Sequence, residues 1–206
     1  MLIKASCITN LTDARYFAAK DVDFLGFNLE ENTEGYLDPM YMKAIREWVE
    51  GPLIVGEFSR APLSYVREAA AFFGLDAVQV PAAAHGAGLS ALEGLKVIAA
   101  VSGEYPGIDE LLQETAPFAQ FFLLDISGII DPATGALPDL ERWQKRCATY
   151  PILVHADLTA AYWPLLIAAL QPAGMNVVGG EEERVGVKSF DEIEEIFDAI
   201  DKRDEL

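Results

Sequence analysis

LIKASCITNLTDARYFAAKDVDFLGFN, residues 2–28, decides how the rest of the chain is read. Leu2–Ser6 is a short apolar run closing on small and reactive residues. Thr9-Asn10 makes a turn, Thr12 takes the position of a helix N-cap, and Asp13 complements the dipole of the first turn. Leu11, Ala14, Phe17 and Ala18 then recur at helical spacing, and a second apolar run, Phe24-Leu25-Gly26-Phe27, ends in Asn28. Strand, loop, helix and strand in some thirty residues form a βαβ unit, with parallel strands and a right-handed crossover.

The unit repeats along the chain. A helix is expected over 38–49, a strand over 52–58, a helix over 62–73 ended by Gly74, and a short strand over 77–80 broken by Pro81. Residues 82–90 read as a loop with a poor helix. Strands follow at 95–101, 121–125, 151–154 and 175–178, with helices at 108–115, 138–147 and 159–170. A charged helix over 189–203, capped by Ser189, closes the chain. Eight short, almost wholly apolar strands alternating with helices predict an α/β fold, a (β/α)8 TIM barrel forming a single domain over residues 1–206. An open dinucleotide-binding sheet would carry a glycine fingerprint in its first turn, and Ser6-Cys7-Ile8-Thr9-Asn10 has none.

Composition narrows the function. With 33 acidic against 15 basic residues and a net charge of -18, nucleic acid is not an expected partner. No apolar run approaches the roughly 18 residues of a membrane span, and the opening residues lack a secretory layout, so no membrane partner is expected. Cys7 and Cys147 are too few and too far apart for a disulfide framework, which makes a reducing cytoplasm the expected compartment. The expected partner is a small-molecule substrate. No cofactor is expected.

Barrel enzymes work at the carboxyl ends of their strands. The residues there are Ser6, Cys7, Asn28, Glu57, Gln79, Asp125, His155 with Asp157, and Gly179-Gly180 with Glu181. Asp125, a carboxylate directly after four apolar residues, has the character of a general acid or base, or of a helix cap. Cys7 reads as a nucleophile or base, or as a small buried filler, and His155 as a catalytic imidazole or, more often, a satisfied rim residue.

These residues carry a resemblance. Lys4-Ala5-Ser6-Cys7-Ile8-Thr9-Asn10 with Asp13-Ala14, then Asp23-Phe24-Leu25-Gly26-Phe27, resembles the opening of the phosphoribosylanthranilate isomerase family: K-I-C-G-I-T, D-A, G-A-D-x-x-G-F. Val55-Gly56-Glu57-Phe58 is similar to its V-G-V-F strand, and Leu75-Asp76-Ala77-Val78-Gln79-Val80 to its L-D-x-V-Q-L strand. Phe122-Leu123-Leu124-Asp125 resembles the strand ending in its catalytic aspartate, and Val187-Lys188-Ser189-Phe190-Asp191 fits its close.

The resemblance implies an Amadori rearrangement of an aminoaldose to an aminoketose in tryptophan biosynthesis, with Asp125 as the acid. The family's base, a cysteine, aligns with Ser6, and Cys7 lies where the family has glycine. Asn28, Gln79, His155, Asp157, Gly179 and Gly180, at the predicted strand ends and the loops after them, are the expected substrate-binding residues. The loops depart from the pattern. Gly35 stands before Tyr36 in place of an arginine, Val80-Pro81-Ala82 replaces L-H-G, and Pro132-Ala133-Thr134-Gly135 replaces G-G-T-G. The phosphate loops A-G-G-L and S-G-V-E read His155-Ala156-Asp157-Leu158 and Gly180-Glu181-Glu182-Glu183, which brings negative charge to a phosphate site. Besides a working isomerase with altered base and loops, two alternatives follow. One is a divergent barrel that takes an unphosphorylated or cationic molecule, or a divalent metal on Glu57, Asp125, His155, Asp157 and Glu181. The other is a non-catalytic binding or assembly relative.

Overall fold

The computed structural model describes residues 1–179, 182–184, 187–188 and 190–204, with the backbone alone at 182–184, 187–188 and 201–204. Strands β1 (Leu2–Ser6), β2 (Phe24–Asn28), β3 (Leu53–Glu57), β4 (Ala77–Pro81), β5 (Val97–Ser102), β6 (Phe121–Asp125), β7 (Ile152–His155) and β8 (Gly174–Val178) close in that order into a barrel. Every pairing is parallel, and β8 returns to β1 in a register running from Leu2↔Gly174 to Ser6↔Val178. Helices α1 (Leu11–Ala19), α2 (Pro39–Arg46), α3 (Leu63–Phe73), α4 (Ala82–His85), α5 (Ile108–Thr115), α6 (Leu140–Thr149), α7 (Trp163–Leu170) and α8 (Asp191–Asp204) cross over between or after them. This is the (β/α)8 barrel that the repeated unit predicts. Among the described residues no helix is long and apolar enough to cross a membrane.

The alternation of each strand sorts its side chains into two cores. Phe24, Val55, Ala77, Ile98, Leu123 and Leu153 pack on one another inside the barrel, with Leu2, Leu53, Ala100 and Phe121 against them. Their neighbours in sequence, such as Ile54, Val78, Phe122, Leu124 and Val154, pack outward under the helices. The amino end of the barrel is tied by one device used three times. The residue before each of β2, β4 and β6 exchanges hydrogen bonds with the preceding strand. The side chains of Asp23, Asp76 and Gln120 accept the N–H of Ile3, Ile54 and Val97, at 2.7, 2.9 and 2.6 Å. Their own N–H groups donate back to the carbonyls of the same three residues. At the other seam, Phe190 stacks on Tyr16 at 4.0 Å and Glu194 pairs with Lys20, fastening the last helix to the first.

Several expected boundaries move. Asn10, not Thr12, caps α1, because its side chain accepts the Asp13 N–H at 2.9 Å and the helix has begun by Leu11. Residues 82–90 are not a loose loop: α4 leads into a 3-10 helix, Gly86–Leu92, whose Leu89 and Leu92 are buried. The helix expected at 138–147 starts at Leu140, because Asp139 takes a left-handed backbone. The helix expected over 38–49 ends at Arg46. The antiparallel pair β9 (Glu182–Arg184) and β10 (Val187–Lys188) had no sequence expectation, and Ser189, the expected cap, lies outside the described residues.

Two predictions follow from this packing. A Cβ at Gly174 would lie 2.3 Å from the Leu2 carbonyl oxygen and 2.7 Å from Leu153 Cδ2, so Gly174→Ala must push β8 off β1. Urea unfolding is expected to show a loss of at least about 2 kcal/mol, toward the upper end for overpacking. Separately, Arg146, buried and lying over the Trp143 ring at 4.2 Å, hydrogen-bonds Asp109 at 2.7 Å. That bond, with help from Arg142, holds the Asp109 carboxyl below its ordinary range. A carboxylate depressed in the folded state adds stability above its unfolded pKa and loses it as pH falls through the folded one. The stability gap between wild type and Asp109→Asn is therefore expected at neutral pH and should close on acidification.

Candidate active site

At the carboxyl end of the barrel the strand alternation turns Ser6, Glu57, Gln79, Asp125, His155 and Asn176 toward the interior. Four side chains lock together just beneath the mouth. Lys4 (0% exposed) forms an ion pair with Glu57 (7% exposed) and hydrogen-bonds Ser6 (5% exposed). The Ser6 hydroxyl donates to Asn176 Oδ1 at 2.6 Å, and Lys4 Nζ lies 3.4 Å from the same oxygen. The second oxygen of Glu57 accepts the Cys7 N–H at 3.1 Å. Gly26 makes room for the pair, since a Cβ there would fall 2.1 Å from Glu57 Oε1 and 2.8 Å from Lys4 Nζ.

The Ser6 oxygen takes a hydrogen bond from the Lys4 ammonium while its proton is committed to Asn176, so the hydroxyl is engaged on both sides within the lock. Cys7 follows Ser6 at φ 56°, a left-handed backbone that suits the glycine found there in the resembling family and is strained for a cysteine. That φ takes Cys7 out of the strand alternation, at a half-exposed position on the rim.

Asp125 stands exposed at the end of β6, in register with Ser102 on one side and His155 on the other. Its Oδ1 accepts the Ser127 N–H at 2.9 Å, and among the described residues nothing hydrogen-bonds Oδ2. His155, half-buried at the end of β7, places Nδ1 3.3 Å from the Asn176 carbonyl and 3.4 Å from Asn176 Nδ2. Asp157 is exposed and binds Ser127 Oγ through its N–H at 3.0 Å. His155, Asp157 and Gly179 line a cavity of about 230 Å3 with Trp163, Glu192 and Ile196. The buried Trp163 indole N–H has no acceptor among the described residues. Gly180 and Glu181 lie outside the described residues.

Two expected binding residues have other work. Asn28 staples its own loop, donating to Thr33 Oγ1 at 2.8 Å and the Glu34 carbonyl at 2.6 Å, and accepting from the Glu30 N–H. Glu57 is spent on Lys4 and Cys7. Gln79, half-buried, keeps a buried Oε1 with no donor among the described residues. Among those residues no three His, Cys, Asp or Glu side chains stand together as metal ligands. Lys4 and Asn176 were not among the candidate site residues of the sequence reading, although each is a polar residue inside a largely apolar strand. A larger opening of about 710 Å3 lies at the amino end, among Leu2, Phe24, Leu53 and Phe121, away from these groups.

The fold is a closed (β/α)8 barrel with an aspartate ending β6 and a polar lock below its mouth. The family model described as N-(5'phosphoribosyl)anthranilate (PRA) isomerase matches residues 3–199, and the chain belongs to that family. The phosphoribosyl anthranilate isomerase of Thermus thermophilus is 25% identical, with a TM-score of 0.76 over 98% of this chain and 100% of that one. TrpF of Jonesia denitrificans (21%, TM-score 0.77, 98% and 97% covered) and the Pyrococcus furiosus enzyme (20%, 0.73, 98% and 99%) share the fold. No curated protein sequence matches the chain.

The lock has a measurable energy. Lys4→Met strands a buried carboxylate and is expected to cost about 3–5 kcal/mol in urea unfolding. Lys4→Met with Glu57→Gln, which removes the charge but keeps an acceptor for the Cys7 N–H, should recover at least half of that.

Proposed function

We propose that this protein is an aldose–ketose isomerase of its family's type, acting on N-(5'-phosphoribosyl)anthranilate in tryptophan biosynthesis by an Amadori rearrangement at the carboxyl end of the barrel. The observation that carries the reading is Asp125, which ends β6 at the open mouth with one carboxylate oxygen unengaged among the described residues. Protonated, it donates to the ribose ring oxygen as the ring opens and the anilino nitrogen forms a double bond to C1. The family match and the 25% identity to the Thermus thermophilus enzyme support the same substrate class.

One observation favours a second reading of the substrate's far end. Asp157 and Glu192 line the cavity beside β7 and β8, and carboxylates facing a phosphate dianion repel it by several kcal/mol, to order of magnitude. An unphosphorylated aminoaldose meets no such penalty.

Turnover of N-(5'-phosphoribosyl)anthranilate by purified protein tests both. The wild type is expected to turn it over, and Asp125→Asn to lower kcat by roughly 10^2–10^4-fold, the usual weight of a general acid. Equal turnover in the two proteins would remove Asp125 from the reaction. Preference for the dephosphorylated compound would select the second reading.

A further inference from the structure

We propose that His155 is the general base that works beside Asp125, an assignment that rests on the isomerase reading above. The β6–β7 register sets Asp125 directly opposite His155, and the Ile126 N–H donates to the His155 carbonyl at 2.9 Å, holding the two strand ends together. Below them Leu123 and Leu153, each two residues earlier, lie in the interior core, so the same alternation turns both polar heads into the mouth. Neighbouring strands are about 4.8 Å apart, which suits an acid and a base serving atoms two bonds apart. The ring oxygen and C2 of an aldose are such atoms, since both are bonded to C1.

The surroundings fit an imidazole that accepts a proton. Nδ1 lies 3.3 Å from the Asn176 carbonyl and 3.4 Å from the Asn176 amide nitrogen. The assignment requires the tautomer in which Nδ1–H donates to the carbonyl, which leaves Nε2 as the proton acceptor. Asn176 cannot drift, because Ser6 and Lys4 hold its side-chain oxygen. Two other candidate groups at the mouth are worse placed: the Ser6 hydroxyl is committed within the lock, and Cys7 has left the strand alternation.

The proton inventory closes without a co-reactant. Asp125 gives its proton to the ring oxygen as the C1–O bond breaks, and the nitrogen lone pair makes C1=N. His155 Nε2 takes the C2 proton. The C–H electrons become C1=C2, and the C1=N pair returns to nitrogen. The imidazolium then protonates C1, the C2 hydroxyl gives its proton to the Asp125 carboxylate, and the ketone remains with both groups restored.

Two measurements test the assignment. The chain has two histidines, so nitrogen-15 NMR of histidine-labelled wild type, with His155→Gln to assign the signals, reads the ring directly at mildly alkaline pH. The expected tautomer carries hydrogen on Nδ1 and none on Nε2; the reverse tautomer overturns the proposal. In turnover of N-(5'-phosphoribosyl)anthranilate, His155→Ala and His155→Gln should lower kcat by about 10^2–10^4-fold with KM changed only a few-fold. Added imidazole should restore part of the loss in His155→Ala, which a merely structural role would not permit. Unchanged kcat in both folded variants overturns it. Wild type inert toward this substrate overturns the isomerase reading and the base assignment with it, whereas active wild type with unchanged His155 variants overturns the base alone.

Discussion

An ion pair sealed inside a closed barrel is the constraint on which the mouth is built. Lys4 and Glu57 reach the interior from β1 and β3 across the β2 backbone, and only a glycine at position 26 lets them meet. Removing two charges from water is repaid only where the remaining donors and acceptors are satisfied, and here Ser6, Asn176 and the Cys7 N–H satisfy them. The result is a rigid polar layer between the apolar interior of Phe24, Val55 and Leu123 and the open strand ends.

That layer redistributes the chemistry. A serine that aligns with the family's cysteine is drawn into structure, and the residue after it adopts the backbone of a glycine. On β6 and β7, above the lock, Asp125 and His155 are register partners, and Asn176 links the imidazole to the lock. One asparagine serves both systems: its oxygen faces Ser6 and Lys4, and its carbonyl faces the ring.

The same strands frame the binding end. Asp157 and Glu192 make the cavity beside β7 and β8 acidic, while the Trp163 indole offers a buried donor. Asn28 and Glu30 instead organise loops, Glu30 accepting the N–H groups of Ser59 and Arg60 at 2.6 and 2.8 Å.

Much was legible beforehand. The period of apolar runs and helical stripes gave the barrel, because parallel strands buried on both faces must be wholly apolar and must be joined by crossovers. It also gave Asp125, because a carboxylate at the end of such a run can only stand at the mouth. Cap and boundary details moved by a few residues, since Asn10 and Asp139 act through local backbone geometry that periodicity does not record. By itself the sequence determined the family, the fold and the ring of polar residues at the strand ends. Only the tertiary structure decided which of them are available to a substrate. Lys4 meets Glu57 across 53 positions and Ser6 meets Asn176 across 170, and closing the barrel is what brings those charges and lone pairs into contact.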